Sequence, residues 1–185
     1  HGKVMNPSAL YLYFLIALTL CSVERLISWK DDISLWTDSV WKNPLAPRAH
    51  NNLGFSLFAI ENLSMAEKEF LVALSLNPNY GDVMNNLGAV RMKFGRYTEA
   101  LDILQKALRL SPENPSIIYN ISLCYEELGQ YDKAREGYER VIALSPCYTK
   151  AHAHLGKIYD MRGRREDALR EYAIARRCDP EVEIP

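Results

Sequence analysis

The 185-residue sequence predicts an all-α chain, a solenoid of helix–turn–helix repeats preceded by a long apolar N-terminal helix. Three observations carry this. Pro78, Pro112, Pro146 and Pro180 lie 34 residues apart, and Pro44 extends the series upstream. Small residues keep the same interval, with Gly54, Gly88, Ser122 and Gly156 in one column and Ala66, Ala100, Ala134 and Ala168 in another. The third is a run from Val4 to Val23 without a charged residue. A fixed period of this length means stacked units that bury their apolar faces on one another.

Composition sets the outer bounds. Apolar residues make up 48% and charged residues 24%, so a packed core is possible and wholesale disorder is excluded. With 22 Lys+Arg against 23 Asp+Glu the net charge is −1, which argues against nucleic acid as the main partner. Four cysteines are too few for a disulfide scaffold.

The first element is the apolar segment, residues 1–28. Ala9 to Val23 is nearly all hydrocarbon, and about 20 helical residues span the ~30 Å bilayer core. Tyr11 and Tyr13 near one end and Trp29 beyond the other suit the interfacial belts. A transmembrane helix is the leading expectation. A cleaved signal fits less well, because Lys3 is the only positive charge ahead of the run and no Ala-x-Ala site follows. A lipoprotein signal is disfavoured by Leu20 before Cys21. An apolar helix bundled in an oligomer or filament, as in pilin-like assemblies, stays open, although Met5 stands where that family has an acid. Residues 29–46 form a partial-repeat linker, with Ile33, Trp36 and Val40 on one face of a single helix.

Four repeats follow, at 47–80, 81–114, 115–148 and 149–182, with a tail of 183–185. Leu53, Leu87, Ile121 and Leu155 supply an apolar column, and Phe70, Leu104, Tyr138 and Tyr172 fill the space beside the small residues. Gly95, Gly129 and Gly163 mark the turn between paired helices, where a left-handed residue ends a helix. Each proline ends the second helix and redirects the chain. The first repeat departs from this, with Glu61 in the glycine column and Leu63 in the column of Tyr97 and Tyr131. In the last repeat Arg162, Arg165 and Arg176 replace apolar columns, as a solvated C-terminal cap requires.

These columns, best seen in Asn86-Leu87-Gly88 with Gly95-Arg96-Tyr97 and Ala100, and in Tyr125 with Gly129-Gln130-Tyr131 and Ala134, resemble the tetratricopeptide repeat (TPR) family. The resemblance implies a right-handed TPR superhelix whose first helices line a concave face. The junction Trp29-Lys30-Asp31-Asp32, Leu35-Trp36-Thr37-Asp38 and Lys42-Asn43-Pro44 is similar to the last membrane helix plus TPR region of transmembrane TPR O-mannosyltransferases and their bacterial relatives. That likeness implies repeats in the periplasm, lumen or exterior. It carries over no catalytic residue, because the transferase chemistry of such proteins belongs to membrane segments this chain lacks.

Binding is expected on the first helices. Asn52, Asn86 and Asn120 recur 34 apart, and an amide both donates and accepts, so a ladder of them suits an extended peptide backbone. It is similar to the asparagine ladder in the TPR region of O-GlcNAc transferase. Asn51, Asn85, Arg48, Phe55, Met92, Tyr119, Glu126, Lys150, His154 and Lys157 are expected on the same face, where a protein or peptide would bind. The basic residues of a carboxylate clamp are missing. His50, His152 and His154 lack ligand spacing, so no metal and no cofactor is expected. Cys147 and Cys178, at neighbouring repeat ends, are candidates for a disulfide in an oxidising compartment, and Cys124 for the core. Asn62-Leu63-Ser64 is a candidate glycosylation pattern at Asn62. No paired carboxylates, nucleophile constellation or phosphate loop occurs, so the reading is a non-enzymatic, membrane-anchored interaction scaffold. The alternatives are a self-assembling structural subunit and the C-terminal part of a multispanning glycosyltransferase-like protein.

Overall fold

The computed structural model describes residues 32–182 and 184. The expected apolar helix within residues 1–28 lies outside them, and no helix among the described residues is long and apolar enough to cross a membrane. The described chain is helical throughout: α1 (Asp32–Lys42), α2 (Pro47–Ala59), α3 (Leu63–Leu76), α4 (Gly81–Lys93), α5 (Tyr97–Leu110), α6 (Pro115–Glu127), α7 (Tyr131–Leu144), α8 (Thr149–Met161) and α9 (Arg165–Cys178). Pro47 and Pro115 open α2 and α6 at the first position, where a missing N–H costs nothing. Second helices stop two residues short of Pro78, Pro112, Pro146 and Pro180.

The inter-helix turns share one geometry. Gly95, Gly129 and Gly163 have φ of 72°, 72° and 73°, and Glu61 sits at 59° in the same slot. The residue after each donates back to the helix, Asn62 to Leu57, Arg96 to Arg91, Gln130 to Tyr125 and Arg164 to Tyr159, over 2.8–2.9 Å. This is the six-to-one bond of a Schellman turn. The first repeat therefore turns like the others in spite of Glu61, because the packing of α2 on α3 imposes left-handed backbone on a residue that disfavours it.

Within each repeat the two helices approach to contact at the small column. A Cβ on Gly54 would lie 2.7 Å from Phe70, on Gly88 2.6 Å from Leu104, and on Gly156 2.5 Å from Tyr172. The third repeat places Ser122 in that column and finds room on the facing helix, where a side chain on Gly137 would collide with the Ser122 hydroxyl. Three buried clusters succeed one another along the stack. Leu53, Phe70 and Leu87 centre the first, Leu104, Ile117 and Cys124 the second, and Tyr138, Val141 and Leu155 the third. Ile33, Trp36 and Val40 of α1 pack on the first cluster.

The first helix α2 touches α4, and α4 touches α6, whereas the second helices make no comparable contact with one another. The stack therefore closes on its first-helix side, which is the inner face. At the far end Arg165 and Arg176 are exposed, and Arg162 donates to Asp132 over 2.7 Å. The column of Arg162 is buried less than expected, with only Leu128 of its apolar members packing on a buried cluster. Ile60 and Phe94 are already 60% and 40% exposed, because that position borders the left-handed turn.

Glu61→Gly removes the penalty for an L side chain at positive φ and deletes only an exposed carboxylate. It is expected to raise unfolding free energy by about 1 kcal/mol in a urea titration; a lower midpoint would show that Glu61 is held for its side chain.

Candidate peptide-binding face

The expected asparagine ladder proves to be a pair of interlocked columns. The Asn86 amide donates to Asn51 Oδ1 over 3.0 Å, Asn120 to Asn85 Oδ1 over 2.9 Å, and Asn51 to Asn52 Oδ1 over 3.2 Å. The second repeat thus clasps the first, and the third the second. Asn86 and Asn120 keep an amide oxygen and a second N–H for a ligand, since an amide has more capacity than one bond uses. His154 ends the ladder because its ring turns to a different partner.

That partner is Glu126, which was expected to line the groove but is 4% exposed. Its carboxylate accepts from the Tyr138 hydroxyl at 2.8 Å, His154 Nδ1 at 2.8 Å and Lys157 Nζ at 2.7 Å. Burial pushes its pKa up, but the hydrogen bonds from His154 and Lys157 and the one from Tyr138 outweigh it and hold the carboxylate at about 2. Glu126, His154 and Lys157 therefore join the third repeat to the fourth and are not free ligand groups. The signal for this was present in the period. The column Phe58, Met92, Glu126, Asp160 changes with the column Phe70, Leu104, Tyr138, Tyr172, and a tyrosine appears only opposite an acid. The Tyr172 hydroxyl faces Asp160 at 3.4 Å in the same way.

His50 and His152 are structural. Each contacts a second-helix carboxylate through Nδ1, Glu69 at 2.7 Å and Glu171 at 2.6 Å, and a proline carbonyl through Nε2, Pro44 and Pro146, both at 3.0 Å. The two middle repeats place Met84 with Ile103 and Ile118 with Gly137 in those slots. Among the described residues no group of three or more His, Cys, Asp or Glu is placed to hold a metal ion. Cys124 is buried, and burial pushes its thiol up to about 12. Asn62 is exposed and caps α3 by accepting from Met65 N–H.

Two cavities open along the first helices. One of about 350 Å³ is lined by Phe58, Ala89, Met92, Lys93, Tyr97, Tyr119, Asn120, Leu123, Glu127 and Lys150. The other, of about 780 Å³, is lined by Tyr119, Cys147, Tyr148, Thr149, Lys150, Ala153, His154, Asp179 and Val182. Tyr119 and Lys150 belong to both, so the cavities form one trough. Of the expected residues, Met92, Tyr119, Asn120, Lys150 and His154 line it, while Arg48 and Phe55 lie exposed on α2 beyond it. Sequence reading missed Lys93, Tyr97 and Tyr148, which sit at helix ends where the period alone does not say which way a side chain leans. An aromatic group floors the large cavity. The Tyr119 ring lies 5.2 Å from Tyr148, 5.8 Å from Tyr138 and 5.8 Å from His154, and His154 stacks on Tyr138 at 5.3 Å. Its wall includes Cys147, whose disulfide to Cys178, with Cα atoms 5.5 Å apart, ties the turn before α8 to the last residue of α9.

Two family models described as tetratricopeptide repeat match residues 79–146 and 119–183, together more than half of the sequence. The chain belongs to the tetratricopeptide repeat family. Among solved structures, MamA (residues 41 to the end) from Desulfovibrio magneticus RS-1 is similar at 21% identity, with 97% of this chain and 99% of that one covered and a TM-score of 0.72. YrrB, described as a TPR protein with an unusual peptide-binding site, is similar at 24% identity over 91% of this chain and 86% of that one, with a TM-score of 0.65. TTC0263, a thermophilic TPR protein in Thermus thermophilus, is similar at 21% identity over 90% of this chain and 89% of that one, with a TM-score of 0.69. At these identities the likeness establishes the fold. No curated protein matches the sequence.

Glu126 carries a folded pKa below its ordinary value, so its contribution to stability is complete above about pH 4.5 and disappears as pH falls towards 2. The stability gap between the native chain and Glu126→Gln is expected to be of order 2–3 kcal/mol at neutral pH and to close across that window; a gap independent of pH would contradict the pairing. Reducing the Cys147–Cys178 bond, which closes a 31-residue span, is expected to lower unfolding free energy by about 3 kcal/mol, read as a lower thermal midpoint in dithiothreitol.

Proposed function

We propose that the chain is a non-enzymatic interaction scaffold that holds an extended segment of a partner protein along its first-helix face. The observation that carries this is the continuous trough through Tyr119 and Lys150, floored by aromatic and aliphatic groups and edged by Asn120, by Lys93 and Lys150 and by Glu127 and Asp179. Such a surface grips backbone through amides and side chains through pockets. The fold shared with YrrB, a protein with a peptide-binding site, supports the reading. So does the state of the reactive groups, since Glu126 is saturated by three donors and the Cys124 thiol is held protonated by burial.

The uncharged run from Val4 to Val23 supports anchoring of the scaffold to a membrane. The Cys147–Cys178 bond supports placing the repeats outside the cytoplasm, where disulfides persist. The junction's likeness to transmembrane TPR transferases agrees with both. Self-assembly is the second reading, favoured by Trp41 and Leu45, which stand 80% and 74% exposed at one end of the described stack.

A photo-crosslinking amino acid at Met92, in the trough, or at Leu71, on an exposed second helix, separates the faces. In the full chain expressed in its native host, Met92 is expected to give discrete protein adducts and Leu71 none. Adducts from Leu71 alone would remove the groove as the binding face.

A further inference from the structure

The trough is not chemically uniform along its length, and its midpoint is specialised. Tyr119 is 9% exposed, yet its hydroxyl has no hydrogen-bond partner among the described residues. Its neighbour Tyr138 differs in this respect, since Glu126 holds that hydroxyl. The hydroxyl oxygen itself is not sealed off, so it is free to bond a group that enters the trough. The Tyr119 side chain lines both cavities, so the group that satisfies it comes from the trough.

The cations at that point are unpaired. Lys150 lines both cavities and Lys93 the smaller one, and neither forms an ion pair among the described residues. Two carboxylates line the trough as well, beyond ion-pair distance of either lysine. Glu127 lies in the smaller cavity, while Glu126, outside both, is matched by Lys157 and His154. Asp179, at the far end of the large cavity, accepts from the Glu181 N–H. The first turn of α8, which begins at Thr149, adds to the same sign, because Tyr148 at its N-cap supplies no side-chain acceptor and the helix dipole presents its positive end there. Next to this polar point lies the wall of Tyr119 and Tyr148, whose rings are 5.2 Å apart and tilted by 35°, with Ala153 leaving space between wall and floor.

We infer that the bound segment is selected for an acidic side chain adjacent to an aromatic one, the carboxylate received by Lys150, the Tyr119 hydroxyl and the open first turn of α8, the ring by the pocket against Tyr119 and Tyr148. This rests on the peptide-holding function proposed above and adds the residue class that the site selects. A side-chain carboxylate fits better than a chain terminus, because the trough continues past Lys150 in both directions and the segment has somewhere to go on either side. The aromatic ring gains edge-to-face contacts that an aliphatic side chain does not. The carboxylate replaces water on an unpaired ammonium and gives the phenol its acceptor.

The full chain is tested against a phage-displayed library of random dodecapeptides fused through their C-terminal ends, so that no free peptide carboxylate is offered. Recovered peptides are expected to carry Asp or Glu within two positions of Phe, Tyr or Trp. A recovered peptide, labelled and followed by fluorescence anisotropy, is expected to bind about tenfold more weakly to Lys150→Gln and about fivefold more weakly to Tyr119→Phe, the scale of one charged and one neutral hydrogen bond. Both changes leave the packing in place, so thermal midpoints should stay unchanged, and the loss at Lys150 should shrink as salt is added. Peptides that lack the acidic–aromatic pair, or that bind Lys150→Gln as well as the native chain, overturn this inference and leave the groove function standing. Recovery of no peptide counts against both.

Discussion

The contact on which the stack depends is the approach of two helix backbones inside each repeat. At Gly54, Gly88 and Gly156 there is no space for even one methyl group, because Phe70, Leu104 and Tyr172 fill it. Adding that methyl would force a buried ring or branched side chain off its rotamer, which costs about 1–3 kcal/mol in a well-packed core. The approach sets the angle of each pair, and the pairs in turn set the inner face. The Asn86–Asn51 and Asn120–Asn85 bonds form only because successive first helices are brought within amide reach. The trough is the gap left between helices held in that way.

The third repeat shows that the constraint is spatial and not a demand for glycine as such. Ser122 occupies the small column, its hydroxyl donates to Ile118 carbonyl over 2.8 Å, and the missing bulk is found at Gly137 on the opposite helix. The same glycine stands where the outer repeats have Glu69 and Glu171, and its partner there is Ile118 where they have His50 and His152. Polar pairs and apolar pairs thus exchange as units. A buried histidine facing an aliphatic residue, or a buried glutamate facing isoleucine, would leave a polar group unsatisfied, and neither combination occurs in these slots.

Much of the fold was legible for this reason. A period of 34 residues reports on backbone packing, and backbone packing repeats. The prolines, the small columns and the left-handed turns therefore all fall where the period put them. The binding face was less legible because a site is made by departures from the period. Glu126 reads as an inner-face acid in isolation. Only its covariation with Tyr138, and the arrival of His154 and Lys157 from the next repeat, show that it is a buried joint. The role of Tyr119 was equally hidden, since a tyrosine in a first helix says nothing about whether its hydroxyl has a partner. Glu61 marks the opposite limit, where local preference opposed the turn and the packing of Leu57 and Phe70 with their neighbours prevailed.

The fourth repeat is where structural and binding demands meet. Its first helix gives His154 and Lys157 to Glu126 and leaves Lys150, one turn earlier, unpaired at the trough. Its second helix ends at Cys178, bonded to Cys147 in the turn that carries Tyr148 and Thr149 into the large cavity. The cavity wall is therefore fixed at both edges, by a buried ion pair on one side and a covalent link on the other. A pocket held in this way loses little further freedom when it is filled, and the affinity of a bound segment then depends on the contacts it makes and not on ordering the wall. An interaction scaffold with short, polar-edged pockets gains from that arrangement at the fourth repeat. Among the described helices α9 packs chiefly on α8, and the disulfide holds its last residue against fraying.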